Sequence, residues 1–530
     1  MFARVSTRWN LMNREERCRR VLNTDHLNQD LGRHAARGSI IAVGAQPIRM
    51  VMQFVFTAIL ARLLAPEAFG IVAMATAVTS FVALFSELGL TSATIQRSHV
   101  DQNLVSGLFF VGLGISLVLL PLIWVLAPLA VWFFNDPRVA NPVIVLSVSF
   151  PLAALGAQHT ALLLRSMRWM TLQWTGLVGH AVGGLAGVLV AWKTDLSYWA
   201  LVITALVAQI VTLSLIWGLC PWRPSLVTNW RDVRSGLHFG AYLTGFGIVN
   251  FFHRQLDNII VGLRFGATEL GYYSRGYQMM LLPLNIFSGP LSSAIEPSLS
   301  RLQDQPERWR RAFLDALGLV VFLGAGVAAG LIAIADPLVT TIYGAGWEKA
   351  ATIFQWLAVS LFAGVPMHAS GWIYMSLGQT RRMFIWSLFF VPIVGLGFVL
   401  AIPYGSVGIA ISYAITMSLL LVPCFAFASR GTPVSLLDTL AVILPLAGCG
   451  VTAAVAGLWV STHEQGVLLR LISGATTAGL TYVLLAIVLI TKSKIYRQLR
   501  DRVGILSRGL AAEVRAKTRP HFERWVGGKK

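Results

Sequence analysis

Charge is what this 530-residue chain has least of. Asp, Glu, Lys and Arg together make up 12% of it, and only 23 residues are acidic. Ordinary soluble domains carry roughly 25% charged residues, so the shortage argues against a soluble fold. Cysteine is scarce as well. Cys18, Cys220, Cys424 and Cys449 have neither metal-ligand nor CxxC spacing, so they read as packing residues or free thiols without a disulfide framework. No HExxH, P-loop or GxSxG stretch stands in a plausible context, and no metal or cofactor is expected. Alternating ten-residue segments of the kind that build membrane β-barrels are missing too. Residues 1–37 are polar and basic, and the apolar run after them is too long for a signal-peptide core.

What is present is apolar length. Hydrophobic residues make up 56% of the chain, and stretches of about 20 of them recur between residues 38 and 492, each enough to cross roughly 30 Å of hydrocarbon. The pattern predicts an all-α polytopic membrane protein with about fourteen transmembrane helices: 38–63, 69–95, 103–128, 142–164, 171–192, 196–219, 236–263, 268–300, 312–335, 349–378, 382–402, 405–428, 436–460 and 466–491. With the N-terminus in the cytoplasm, 33 of the 42 Lys and Arg fall on the cytoplasmic side and 6 on the other. That asymmetry predicts that both termini, the basic tails 1–37 and 492–530, are cytoplasmic. It also makes topology, with nucleic acid excluded as a partner, the better account of the formal charge of +19. Every loop is short. Membrane enzymes acting on lipid-linked sugars usually carry a sizeable outer loop with catalytic acids, and this chain has no place for one, so it is not expected to be an enzyme.

The sequence also repeats. At an offset of 202, Gln53, Arg62, Ala65 and Glu67 meet Gln255, Arg264, Ala267 and Glu269, and Phe85-Ser86 meets Phe287-Ser288. At an offset of 200, Asp136-Pro137-x-Val139 meets Asp336-Pro337-x-Val339. These matches fall at equivalent places in the topology and predict two lobes of six helices, 38–219 and 236–428, joined by a cytoplasmic linker at 220–235. Helices 436–491 are an addition. Parallel repeats of this kind mark transporters, with the substrate path between the halves.

Three arginines, Arg49, Arg254 and Arg275, fall inside spans, where a charge costs at least about 2.5–3.5 kcal/mol. Asn250, Arg254 and Asp257 are spaced i, i+4, i+7 and share a helical face. Arg49 follows Pro47, with Gln53 one turn on, and Glu87 lies near the inner half of the second span. Arg275 leads a segment with Pro283, Pro290 and Pro297 at seven-residue intervals and Glu296 beside the last. Such prolines should bend the helix and free carbonyls that only protein or water can cover. One reading is internal ion pairing between Arg254 and Asp257 that simply holds helices together. The other is a cavity with surplus positive charge for an anionic ligand, Arg being well shaped for a diphosphate. His180, among Gly176, Gly179, Gly183 and Gly187, reads as a core histidine or a proton relay, and the glycines as a close helix contact.

Two stretches, ARLLAPEAFGIVAMATAVTSFVALFSELGLTSATIQR (61–97) and NFFHRQLDNIIVGLRFGATELGYYSRGYQMMLLPLNIFSGPLSSAIEPSLSRLQ (250–303), resemble the bacterial polysaccharide transporter family, in its Wzx-like flippase group. That group belongs to the multidrug/oligosaccharidyl-lipid/polysaccharide exporter superfamily. The resemblance implies two lobes in a V shape and alternating access that moves an undecaprenyl-diphosphate-linked oligosaccharide across the bacterial inner membrane. It also implies membrane lipid, and the polymerase and export machinery of the same pathway, as partners. On that expectation Arg49, Arg254, Arg275, Gln53 and Asn250 bind substrate, while Asp257, Glu87 and Glu296 pair with the arginines or carry coupling protons. The alternatives are a cation antiporter of the same superfamily, or a membrane-embedded polymerase or ligase.

Overall fold

The computed structural model describes residues 16, 18, 21–22, 31–87, 90–97, 100–226 and 230–492. The described residues are mostly helical and none is in a strand. Eight helices make up the first half: α1 (Leu31–Leu63), α2 (Pro66–Glu87), the short α3 (Leu90–Gln96), α4 (Gln102–Phe134), α5 (Ala140–Ser147), α6 (Ser149–Arg165), α7 (Trp169–Lys193) and α8 (Trp199–Leu219). The second half has α9 (Trp230–Ser300), α10 (Pro306–Tyr343), α11 (Glu348–Val359), α12 (Leu361–Ser376), α13 (Thr380–Ala401) and α14 (Gly405–Ala428), and then come α15 (Leu436–His463) and α16 (Val467–Lys492). Nine stretches among the described residues are long and apolar enough to cross a membrane, or ten if α11 and α12, bent by 48°, form one span. The chain is a multi-pass membrane protein.

Local chemistry sets the boundaries. Asp101 accepts from the Leu104 amide at 2.9 Å and starts α4, and Asn135 in the left-handed region (φ 53°) ends it. Ser435 and Asp438 form a reciprocal capping box at the start of α15. The backbone of α9 leaves helical geometry only at Gly266 (φ 82°, ψ −174°), a conformation that glycine alone adopts cheaply. Nine residues before that break and seven after it, buried Asp257 accepts from the Tyr273 hydroxyl at 3.1 Å, so the chain doubles back there. This is the turn expected between 263 and 268. Through Pro283, Pro290 and Pro297 the backbone remains helical.

Two compact units result. The first comprises Met1–Leu282, Val339–Phe354 and Ser387–Ser412. In it α7 and α8 pack closely because Gly179, Gly183 and Gly187 face α8: a Cβ on them would lie 1.9 Å from Thr212 Oγ1, 2.5 Å from the Thr204 carbonyl and 1.8 Å from Thr204 Oγ1. The expected glycine contact is present. The second unit comprises Pro283–Leu338, Gln355–Trp386 and Tyr413–Lys530. There the added pair α15–α16 is fastened along α10. Arg310 pairs with Asp438 at 2.6 Å, Arg470 pairs with Asp336 at 2.7 Å, and Tyr482 donates to the Phe322 carbonyl at 2.7 Å between them. The unit division crosses the expected lobe boundaries, because stretches of second-half sequence near Gly266, Trp347 and Ser406 belong to the first unit.

Candidate functional site

Within the first unit, the turns that start α2 and the second arm of α9 meet backbone to backbone. A Cβ on Gly70 would sit 1.7 Å from the Ala267 carbonyl oxygen, and one on Gly271 would sit 1.9 Å from that of Pro66. Each repeat half thus presents a glycine to the other's helix start. Polar contacts surround this seam. Arg62 donates to the carbonyls of Ile342, at 3.0 Å, and Thr341. Trp347 Nε1 donates to the Ala61 carbonyl at 3.0 Å, and its ring meets Phe69 edge-on at 5.5 Å. Arg138 pairs with Glu67 and Asp136, each at 2.8 Å. Its hydrogen bonds hold the Asp136 carboxyl below its ordinary range, outweighing partial burial. Lys349 pairs with Glu269 at 2.5 Å, and Ser406 donates to the same carboxylate at 2.5 Å. First-half and second-half sequence therefore close tightly on each other at this end of the unit.

A cavity of about 880 Å³ lies in the same unit, walled by α1–α4, α6–α8 and one residue of α9, Arg275. Its lining is largely apolar but carries amides and hydroxyls, among them Gln53, Thr57, Ser92, Thr160 and Gln209. His180 lines it with Nδ1 at 2.8 Å from the Gly176 carbonyl. Among the described lining residues there is no Asp, Glu or Lys, and Arg275 is the sole permanent charge. Its guanidinium lies over the Phe69 ring at 4.9 Å. Its buried Nε has no hydrogen-bond partner among the described residues. Tyr343 is its other electrostatic neighbour, and a desolvated cation resting on an aromatic face with no carboxylate beside it in the cavity lining is poised for an anion.

The profile of the family described as "Polysaccharide biosynthesis protein" matches residues 59–352, more than half of the chain. The chain belongs to that family. Among its relatives, the succinoglycan biosynthesis transport protein ExoT of Rhizobium meliloti is 26% identical over 337 residues, which is 64% of this chain and 68% of the relative. The lipopolysaccharide biosynthesis protein WzxC of Escherichia coli is 21% identical over 389 residues, 72% and 76% of the two chains. Among solved structures, the lipid II flippase MurJ in an inward closed conformation superposes with a TM-score of 0.67 at 15% identity, covering 85% of this chain and 99% of that one. The fold is therefore the one seen in that solved structure.

In this member of the polysaccharide biosynthesis family, the residues expected at the site are dispersed. Gln53 and Arg275 share the cavity; Arg49, Asn250 and Arg254 are not among its lining residues. Arg49 donates to Gln46 on its own helix, and Arg254 and Asn250 are exposed. Asp257 takes a tyrosine hydroxyl and the Asn258 amide (2.8 Å), and none of the described ion pairs joins Asp257 to an arginine. Pro47 is exposed on α1. Glu296 and Pro297 belong to the second unit, where Pro283 begins; the Glu87 and Pro290 side chains lie outside the described residues. Sequence reasoning passed over Phe69 and Trp347, aromatic residues of ordinary appearance. Their signal was proximity to the repeated Glu67 and Glu269, whose own role is now the paired clamp.

Proposed function

We propose that this protein is a flippase that moves undecaprenyl-diphosphate-linked oligosaccharide units across the bacterial inner membrane by alternating access, for exopolysaccharide or lipopolysaccharide biosynthesis. Within a family of polysaccharide biosynthesis proteins, the observation that carries the reading is Arg275. It is the sole permanent charge among the described lining residues of a cavity of about 880 Å³ that also carries amides and hydroxyls, within the usual range of ligand sites. The diphosphate supplies the anion that Arg275 lacks. Gln53, Thr57 and Thr160 offer hydrogen bonds to sugar hydroxyls, and Arg49, Arg254 and Asn250 on neighbouring helices guide the head group toward the cavity. The excess of Lys and Arg on one side of the expected topology supports cytoplasmic termini, with the closed seam of the first unit toward the outer face. The pathway's polymerase and export machinery would take the unit after release.

Loss of the gene should abolish exported polymer while lipid-linked units accumulate in the inner leaflet. Arg275→Ala at normal protein abundance should restore under a tenth of the polymer, about the cost of one charge-assisted contact in a dry site. Full restoration by that variant would remove the anion-site reading. A cation antiporter would instead need a carboxylate, and a drug-sensitive deletion strain with normal polymer would favour it.

A further inference from the structure

The cation of the cavity and the seam at the sealed end are physically continuous. Arg275 lies one turn beyond Gly271 on the same arm of α9, and its guanidinium rests on Phe69 at 4.9 Å. Phe69 is the residue before Gly70 and is 2% exposed. The same ring is met edge-on at 5.5 Å by Trp347, which is anchored through Nε1 to the Ala61 carbonyl at 3.0 Å. Trp347 is wedged in turn by Tyr343 at 5.1 Å and Tyr272 at 5.8 Å. We propose that the line Arg275–Phe69–Trp347 couples arrival of a diphosphate anion in the cavity to opening of the sealed end. The proposal rests on the flippase reading above and adds its coupling device.

With no anion present, the best partner open to the buried guanidinium is the π-face of Phe69, and that contact presses the ring against Trp347 and keeps the two glycine contacts closed. A diphosphate is a stronger partner, because a charge-assisted pair between Arg and a phosphate outcompetes a ring face in a desolvated site. Taking the guanidinium off the ring removes the cavity-side support of Phe69. The seam then loses one of the contacts that hold it closed. Ligand affinity is thereby higher for the state in which the seam is released, which is the differential that alternating access requires.

The test uses full-length protein in nanodiscs, with Cys18, Cys220, Cys424 and Cys449 replaced by Ala and Ala61→Cys added as a reporter. Ala61 is 3% exposed and carries the carbonyl that holds Trp347. Labelling by a maleimide is followed with and without undecaprenyl diphosphate, and binding of that lipid is measured separately by native mass spectrometry. The lipid should raise the labelling rate about tenfold, within the usual span of coupling between sites. Phe69→Leu should label fast without ligand and gain less than about twofold on adding it, while still binding the lipid; Phe69→Tyr should behave as the parent. Trp347→Leu, which removes the far end of the line, should reproduce Phe69→Leu and serves if that variant fails to fold. Slow basal labelling with a full ligand response in the leucine variants would overturn the coupling alone. Absence of lipid binding by the parent protein would overturn the flippase reading and the coupling together.

Discussion

The two halves of the repeat meet at one end of the first unit, and there each can be compared with its counterpart. In the first half Glu67 holds Arg138, which Asp136 also grips. In the second half Glu269 holds Lys349 and takes a hydroxyl from Ser406. The glutamates are repeat equivalents and both cations come from the connection between the third and fourth helices of their half. Yet the Glu269 side chain is 24% exposed and that of Glu67 is 43%. The aspartates of the repeated Asp-Pro pair differ further. Asp136 turns to Arg138 within its own turn, whereas Asp336 is taken by Arg470 of α16. The glutamate–cation pair is thus present in both halves beside one seam. The aspartate takes a different partner in each, and in the second half that partner comes from an added helix.

The sharpest way to break this comparison is at the glycines. Gly70→Ala and Gly271→Ala each drive a methyl group into a carbonyl of the opposite half. Both should lose polymer export by more than tenfold and unfold earlier in detergent, overpacking against backbone costing about 1–3 kcal/mol or more. Equal losses would show that the halves contribute alike; a silent variant at either position would mean that its close contact is not needed for transport. The carboxylates should separate next. Glu269→Gln should cost about 1–2 kcal/mol in thermal unfolding because a charged hydrogen-bond acceptor is lost from a partly covered site. Glu67→Gln, whose ion pair is more exposed, should cost about 1 kcal/mol or less. A reversed order would show that exposure does not rank the two clamps. Trp347→Phe keeps the ring and removes the bond to Ala61, an effect of about 1 kcal/mol. The smallest effect concerns pH. The Asp136 carboxyl is held below its ordinary value by Arg138, so its contribution is complete above the unfolded value and is lost only as pH falls through the lower folded one. Between about pH 5 and 8 Asp136 should stabilise by a constant amount and add no pH dependence to the unfolding temperature, and Asp136→Asn should flatten part of the decline below about pH 4.

Helix order, the turn at Gly266 and the glycine contact between α7 and α8 were all readable from the chain, because apolar length, a residue able to adopt positive φ and small-residue spacing are local properties. The repeat also pointed to Glu67 and Glu269 before their partners were known. The cavity was harder to read. Arg254, Asp257 and Asn250 share a face by spacing, but spacing does not say whether that face looks into a cavity, onto a neighbour or outward. Asp257 found Tyr273 across the turn. The residue that did matter, Arg275, was already marked out by its cost in an apolar segment. Its partner Phe69 was not, since in a chain with 28 phenylalanines one aromatic over a cation has no sequence mark.

The docking of α15 and α16 makes the chain harder to shorten than its repeat suggests. A protein cut back to its duplicated core would expose Arg310 and Asp336, each stripped of its opposite charge, at the two ends of a single helix. A bare carbonyl at Phe322 would be left halfway between them. The extension works as a splint strapped to α10 at both membrane faces, and any trimmed version must first neutralise those two ends to stand upright in a bilayer.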